Sequence, residues 1–140
     1  MWLRSFSELK AGVGGLMDAI VLVVEDETLI GLDIADCLAE AGFDTLEAAN
    51  ADQAIRTLEN RPDIRLVLTD VNMPGNMNGL ELAALVRLRW PPVKIIVISG
   101  RFVLNERDLP EGARFISKPY DRPRIARMVK EMMHAPKETR

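Results

Sequence analysis

Short aliphatic runs alternate with helix-length segments along most of this chain, and this alternation limits the possible folds more than any other feature. The clearest runs are residues 19–24, 66–69 and 93–98, which are almost entirely Val, Ile and Leu. An unbroken apolar run of this length is typical of a strand buried on both faces of a parallel sheet. Two weaker strands are predicted at residues 43–48 and 113–116, and the polar character of the first places it at the sheet edge.

The segments between these runs carry helical spacing. In residues 28–41, Ile30, Ile34, Cys37 and Leu38 fall on one face, and Gly42 follows where a helix would end. This pattern places Cys37 in the core rather than at a reactive site. Three further helices are predicted at residues 51–59, 79–89 and from 122 onward, with Asn50, Asn78 and Asp121 as their N-terminal caps.

Five strands alternating with helices favour right-handed crossovers and a sheet covered on both faces. We therefore predict an α/β fold with a doubly wound, five-stranded parallel sheet in the flavodoxin-like order 2-1-3-4-5. The domain would span residues 19–134. Residues 1–18 are interpreted as a flexible leader because they contain a glycine-rich stretch. Alternatively they form a docking helix for a partner or a second copy, because Trp2, Phe6 and Leu9 could form a short apolar face. Residues 135–140 are interpreted as a tail.

Composition excludes several classes of function. The chain has 140 residues, of which 48% are hydrophobic and 28% charged, as expected for one globular domain. A net charge of −3 with interspersed signs argues against a nucleic acid or a membrane surface as the main partner. The single cysteine rules out an intrachain disulfide, and no signal peptide or spanning segment is recognisable, so we expect a cytoplasmic protein.

Polar residues follow the predicted strands at the point where each ends. Strand one leads into Glu25 and Asp26, strand three ends at Asp70, strand four at Ser99, and strand five precedes Lys118. In a parallel sheet these ends meet at one edge, which is where such sheets bind ligands. Crowded carboxylates favour a hard divalent cation, and Mg²⁺ fits them best. The set predicts a site that carries a phosphoryl group on Asp70, with Ser99 and Lys118 contacting its oxygens.

Each of these residues also has an ordinary structural explanation. Glu25 and Asp26 can serve only to favour the start of the following helix, Ser99 can be a turn serine, and Lys118 can be a solvated surface cation. Their occurrence together, each at a strand end, is what favours a functional site.

The same residues give the chain a family likeness, and it resembles a response-regulator receiver domain of two-component signalling. The matching motifs, in chain order, are Val23-Val24-Glu25-Asp26-Glu27, Asp70-Val71-Asn72-Met73-Pro74 followed by Gly79, Ser99-Gly100, and Lys118-Pro119-Tyr120. The resemblance spans residues 19–134 and implies a signalling phosphoacceptor rather than an enzyme.

The resemblance assigns a role to each motif residue. It implies phosphorylation of Asp70, contact of Ser99 and Lys118 with the phosphoryl group, and a cis Lys118–Pro119 peptide bond. It implies Mg²⁺ bound by Asp26, by Glu25 through water, by Asp70 and by the backbone carbonyl of Asn72. Ser99 and Phe115 would be the switch residues, and Phe115 lacks the hydroxyl of a tyrosine, so a switch there would work by packing.

The resemblance also implies partners. A sensor histidine kinase or a histidine phosphotransfer protein would donate the phosphoryl group, and an unidentified downstream protein would read the result. We expect a stand-alone receiver that is a monomer or weak dimer. Two departures from the family pattern stand out: the loop at residues 75–78 is one residue longer than usual, and Asn105, Pro110 and Gly112 leave only residues 106–109 for the helix expected between strands four and five.

Two rival functions are less well supported by the sequence. A haloacid-dehalogenase-type phosphatase also uses an Asp nucleophile after a strand, but it needs a second Asp where this chain has Asn72. A receiver that is never phosphorylated and only binds partners would have lost an acid, the acceptor or the lysine, and all of these residues are present.

Overall fold

The computed structural model describes residues 20–100 and 105–134, and it shows a five-stranded parallel sheet in the order β2-β1-β3-β4-β5. The predicted strand order is confirmed. The strands are β1 (Ile20–Val24), β2 (Asp44–Ala48), β3 (Ile64–Asp70), β4 (Lys94–Ser99) and β5 (Arg114–Ser117). The helices are α1 (Thr28–Glu40), α2 (Ala51–Asn60), α3 (Gly79–Arg89) and α4 (Arg122–Met133).

The sheet separates two hydrophobic layers. Residues of α2 and α3 pack on one face, and residues of α1 and α4 pack on the other. Successive residues of β1 alternate between these layers, with Leu22 in the first and Val23 in the second. Both faces of the central strands are therefore covered, which explains why their sequences are almost wholly aliphatic. β2 lies at the sheet edge and is only partly buried, as its polar sequence predicts.

The predicted caps set where three helices begin. The side chains of Asn50, Asn78 and Asp121 each accept a hydrogen bond from a backbone N–H in the first turn of α2, α3 and α4. At Asn78 the bond is reciprocal, because the Glu81 side chain also accepts from the Asn78 N–H. This capping box fixes the start of α3 directly after the loop that follows β3. The cap predictions are confirmed.

The connection between β4 and β5 differs from the other crossovers. Among its described residues, 105–113, the only helical structure is a 3₁₀ turn at Glu106–Asp108, in agreement with the prediction of a short or irregular helix. The side chain of Arg87 in α3 is hydrogen-bonded to this connection at Glu111. Its guanidinium donates hydrogen bonds of 2.6 Å to the carbonyls of Pro91 and Glu111.

Several smaller predictions can be compared directly with the structure. Cys37 is buried, and its Sγ lies 3.2 Å from the Arg122 carbonyl oxygen, so its predicted core position is confirmed. β5 begins one residue later than predicted and β3 begins two residues earlier. The leader and tail assignments for residues 1–18 and 135–140 fall outside the described residues. None of the described helices is both long enough and apolar enough to cross a membrane.

Candidate functional site

The parallel strands deliver the predicted polar residues to one edge of the sheet. Asp70 and Ser99 are the last residues of β3 and β4, while Glu25 and Lys118 directly follow β1 and β5. The backbone continues the sheet pattern past these ends, because the Val71 N–H donates to the Ile98 carbonyl and the Lys118 N–H donates to the Ser99 carbonyl. These bonds hold the strand ends in register and therefore fix the positions of the functional side chains.

Three carboxylates meet at this edge. Glu25, Asp26 and Asp70 each offer an oxygen, and these oxygens all lie within 4.8 Å of one another. Asp26 is exposed, whereas Glu25 and Asp70 are 7% and 5% exposed. A set of oxygen ligands this close, open to solvent on one side, suits a hard divalent cation that retains water ligands. The donor set therefore fits Mg²⁺.

Glu25 is the acid most strongly affected by its surroundings. Burial raises its pKa from 4.5 to about 7, and the negative charges of Asp70 and Asp26 act in the same direction. The Glu27 N–H donates a 3.1 Å hydrogen bond to Glu25 Oε2 and opposes the shift, as does the positive charge of Lys118. Without a cation, Glu25 thus keeps its proton to a higher pH than an ordinary glutamate does.

The Asp70 carboxylate is held from two sides. Lys118 Nζ donates to Asp70 Oδ2 at 3.1 Å, and the Asn72 N–H donates to Asp70 Oδ1 at 3.3 Å. The Lys118 ammonium is part of a side chain that is 29% exposed, so it bridges the buried acid and the solvent. The Lys118–Pro119 peptide bond is cis, as the family resemblance implies. A nearly buried carboxylate beside a fixed ammonium is suited to receive a negatively charged group.

Ser99 is fully buried at the end of β4, one residue beyond the Ile98 that pairs with Asp70. Gly100 follows it, and an added Cβ there would lie 3.0 Å from the Lys118 Cβ. Glycine at this position thus allows the aliphatic part of Lys118 to pass close to the β4 end. Phe115, the predicted aromatic switch residue, is partly buried and packs against the layer that contains α2 and α3.

A cleft of about 330 Å³ opens beside the acids. It is lined by residues of the β1 and β3 ends and of the loop before α3, namely Asp26, Asn72, Met73, Pro74 and Asn78. The loop between β3 and α3 therefore forms one wall of this cleft.

Gly79 was predicted only as a motif residue, and its close packing against the backbone of β3 is a feature that the sequence did not reveal. Its N–H donates a 2.9 Å hydrogen bond to the Val71 carbonyl, which closes the loop after β3. A Cβ on Gly79 would lie 2.0 Å from the Asp70 carbonyl oxygen. The sequence signal was a glycine at the start of α3 directly after an Asn cap, which is an unusual place for a residue of low helix propensity.

The amino-acid sequence assigns the chain to a known family. The sequence profile of the response regulator receiver domain matches residues 21–130. The chain belongs to the response regulator receiver family. The fold places this receiver domain among its relatives as well: a receiver domain from Methanospirillum hungatei JF-1 has a TM-score of 0.75 and 27% sequence identity, with 82% of this chain and 93% of that chain covered.

Two curated relatives contain a domain similar to this receiver domain. The putative response regulator NtrX-like of Rickettsia bellii is 32% identical over 114 residues, which is 79% of this chain and 24% of that protein. Sensor kinase CckA of Brucella abortus is 34% identical over 119 residues, 82% of this chain and 12% of that protein. The solved receiver domain from hybrid histidine kinase CckA has a TM-score of 0.70 and 32% identity, with 82% and 99% covered. The receiver domain thus spans about a quarter or less of these curated relatives.

The pKa of Glu25 leads to a stability prediction for the metal-free receiver domain. The pKa of Glu25 is about 7 in the folded protein and 4.5 without the fold. The contribution of Glu25 to the free energy of unfolding is therefore present at low pH and is lost as the pH rises through 7. Glu25→Gln is therefore expected to raise the thermal midpoint by a few degrees at pH 8 and to leave it nearly unchanged at pH 5. Thermal unfolding in a chelator measures both values.

The matched control for this prediction is Glu27→Gln, which makes the same chemical change at an exposed position of the same turn and should alter the thermal midpoint little at either pH. An equal gain for Glu25→Gln at pH 5 and pH 8 would contradict the assignment of a raised pKa to this carboxyl.

Proposed function

We propose that this receiver domain accepts a phosphoryl group on Asp70 from a histidine kinase or a histidine phosphotransfer protein, in a reaction that requires Mg²⁺. The observation that carries the proposal is the position of the Asp70 carboxylate, which lies within 4.8 Å of two other acids and 3.1 Å from the Lys118 ammonium. An acceptor that already has a counter-charge at hydrogen-bond distance needs little rearrangement as negative charge arrives.

In the proposed reaction, an Asp70 carboxylate oxygen attacks phosphorus and forms a P–O bond. The P–N bond to the donor histidine breaks, and the imidazole leaves with the bonding electron pair and takes up a proton. Asp26, Asp70 and the Asn72 carbonyl would hold Mg²⁺, with Glu25 contributing through water, and the bound ion would supply positive charge that offsets the charge of the phosphoryl oxygens. Within the chain, the Asn72 N–H orients Asp70, Lys118 pairs with a phosphoryl oxygen, and Ser99 donates a hydrogen bond to another.

The chain acts in this scheme as a stoichiometric phosphoacceptor rather than as an enzyme. The likeness to the receivers of sensor kinase CckA and of the NtrX-like regulators supports a histidine kinase or phosphotransfer protein as the donor. The proposal places the transfer in the cytoplasm, where ATP is available to such kinases. Phosphorylation would be read through contacts with a downstream protein, and Phe115 and Ser99 are the residues proposed to change position.

Beryllofluoride, which resembles a phosphoryl group when bound to a carboxylate, tests the proposal without a cognate donor. With Mg²⁺ present, it is expected to raise the thermal midpoint of the wild-type protein by several degrees, because it binds only the folded site. Asp70→Asn removes the attachment point and should abolish the shift.

Asp36→Asn is the matched control, since it makes the same chemical change at an exposed position on α1 and should retain the full shift. An equal shift in Asp70→Asn and in the wild type would show that beryllofluoride binds elsewhere, and the proposed acceptor would then be wrong.

A further inference from the structure

An apolar cleft lies beside α3, at the border of the hydrophobic layer that contains α3. It has a volume of about 610 Å³ and is formed by α3 and the segment that follows the 3₁₀ turn. Its lining is mostly apolar, with two charged residues: Leu80, Ala84, Arg87, Leu88, Asp108, Leu109 and Pro110. Leu88 is 77% exposed, which is unusual for a large aliphatic side chain with other apolar groups beside it.

The α3 side of the cleft has helical periodicity. Leu80, Ala84 and Leu88 recur every four residues and so form one stripe, which at 1.5 Å per residue is roughly 12 Å long. Leu109 and Pro110, which follow the 3₁₀ turn of the β4–β5 connection, form the opposite wall. This geometry fits a short amphipathic segment with two or three large apolar side chains.

The N-terminal segment of the same chain has this pattern. Trp2, Phe6 and Leu9 are spaced by four and three residues, the spacing that would bring three side chains to one side of a helix over roughly 10 Å. Arg4 and Glu8 also lie in this segment, and the cleft likewise carries one charge of each sign, at Asp108 and Arg87. The segment therefore matches the cleft in length and apolar spacing, and each of its two charges has an opposite charge in the cleft lining.

The start of the described chain contributes to the hydrophobic layer on the same face of the sheet as the cleft. The side chain of Ile20, at the beginning of β1, belongs to the same hydrophobic layer as Val86 of α3 and Leu109. β1 and β5 are separated by three strand spacings, or roughly 14 Å. Residues 10–19, which include three glycines, can span up to about 30 Å when extended, so they are long enough to bridge this distance.

We propose that residues 2–9 dock into this α3 cleft of their own chain, with Trp2, Phe6 and Leu9 against Leu80, Ala84 and Leu88. A short tether gives the segment an effective concentration in the millimolar range at the cleft, which favours this contact over the same segment of a second copy. The docked segment would cover the cleft and compete with any protein that binds there. The proposal is independent of phosphorylation at Asp70.

Trp2 reports on the docking directly. The chain has two tryptophans, so the full-length Trp90→Phe variant leaves Trp2 as its only indole fluorophore. In this background, docking predicts blue-shifted emission and weak quenching of Trp2 by acrylamide. Leu88→Asp, at an exposed position, should shift the emission to the red and raise the quenching to that of a free peptide of residues 1–18. Phe6→Asp should do the same from the side of the segment.

Leu29→Asp is the matched control, because Leu29 is 81% exposed on α1, across the sheet from α3, and its replacement should leave Trp2 shielded. Circular dichroism verifies that each variant is folded. If acrylamide quenched Trp2 equally with and without the Leu88→Asp substitution, the proposal would be overturned. Shielding that disappears on dilution, together with a dimeric mass in light scattering, would show that a second copy fills the cleft and would also overturn it.

Discussion

Replacing Gly79 by alanine is expected to destabilise the protein by about 3 kcal/mol or more and to lower its thermal midpoint by roughly 10 °C. The added Cβ would lie 2.0 Å from the Asp70 carbonyl oxygen and 2.8 Å from both the Asp70 carbonyl carbon and the Val71 Cα. All three atoms belong to the backbone, so no side-chain rotation can relieve the overlap. Either β3 or the first turn of α3 must move.

The same movement is expected to disturb the site. The Gly79 N–H bonds to the Val71 carbonyl, so displacing α3 pulls on the residue next to Asp70. Chemical and thermal unfolding give the stability, and Gly31→Ala supplies the control because its Cβ would meet nothing closer than 3.5 Å. Gly31→Ala should be neutral or stabilising, since alanine is favoured in a helix interior. If both variants unfolded like the wild type, the close approach of α3 to β3 would be contradicted.

Lys118→Ala is expected to slow phosphorylation of the protein by acetyl phosphate by about 10²-fold. The Lys118 ammonium is the cation that lies 3.1 Å from Asp70 Oδ2, and its removal takes away the charge proposed to pair with the incoming phosphoryl group. The fold should persist because the Lys118 side chain is partly exposed and leaves no apolar cavity.

Intact-mass measurement over time gives the phosphorylation rate of Lys118→Ala. Lys130→Ala, which removes an exposed lysine from α4, is the control and should react at the wild-type rate. A wild-type rate in Lys118→Ala would mean that the ion pair with Asp70 has no part in the transfer.

The fold was predictable because each central strand is a nearly pure aliphatic run and because α2, α3 and α4 each begin at a side-chain cap. The strand ends were less accurate because pairing with a neighbour sets them. β5 begins at Arg114, where pairing with Ile96 of β4 begins, although Ala113 continues the apolar pattern. The Arg87 bonds to Pro91 and Glu111 could not be foreseen, since one of them joins residues 24 apart through a loop without periodicity.

The candidate site was predictable at the level of residues, because parallel strands must bring their carboxyl ends together. The energetics of the site could not be predicted from the sequence. The raised pKa of Glu25 depends on burial and on the distances to Asp70 and Asp26, which no linear spacing contains. Gly79 was visible in the sequence as a motif residue, but its closeness to the Asp70 backbone required the packing of α3 on β3.

The position of the phosphoryl group is the most direct test of the proposed function. After reaction with acetyl phosphate and Mg²⁺, borohydride reduces an aspartyl phosphate to homoserine, and proteolysis with mass spectrometry locates the altered residue. The account predicts homoserine at position 70, dependent on Mg²⁺, with Glu25 and Asp26 unchanged. Modification of another carboxylate, or none at Asp70 in a protein verified to be folded, would contradict it.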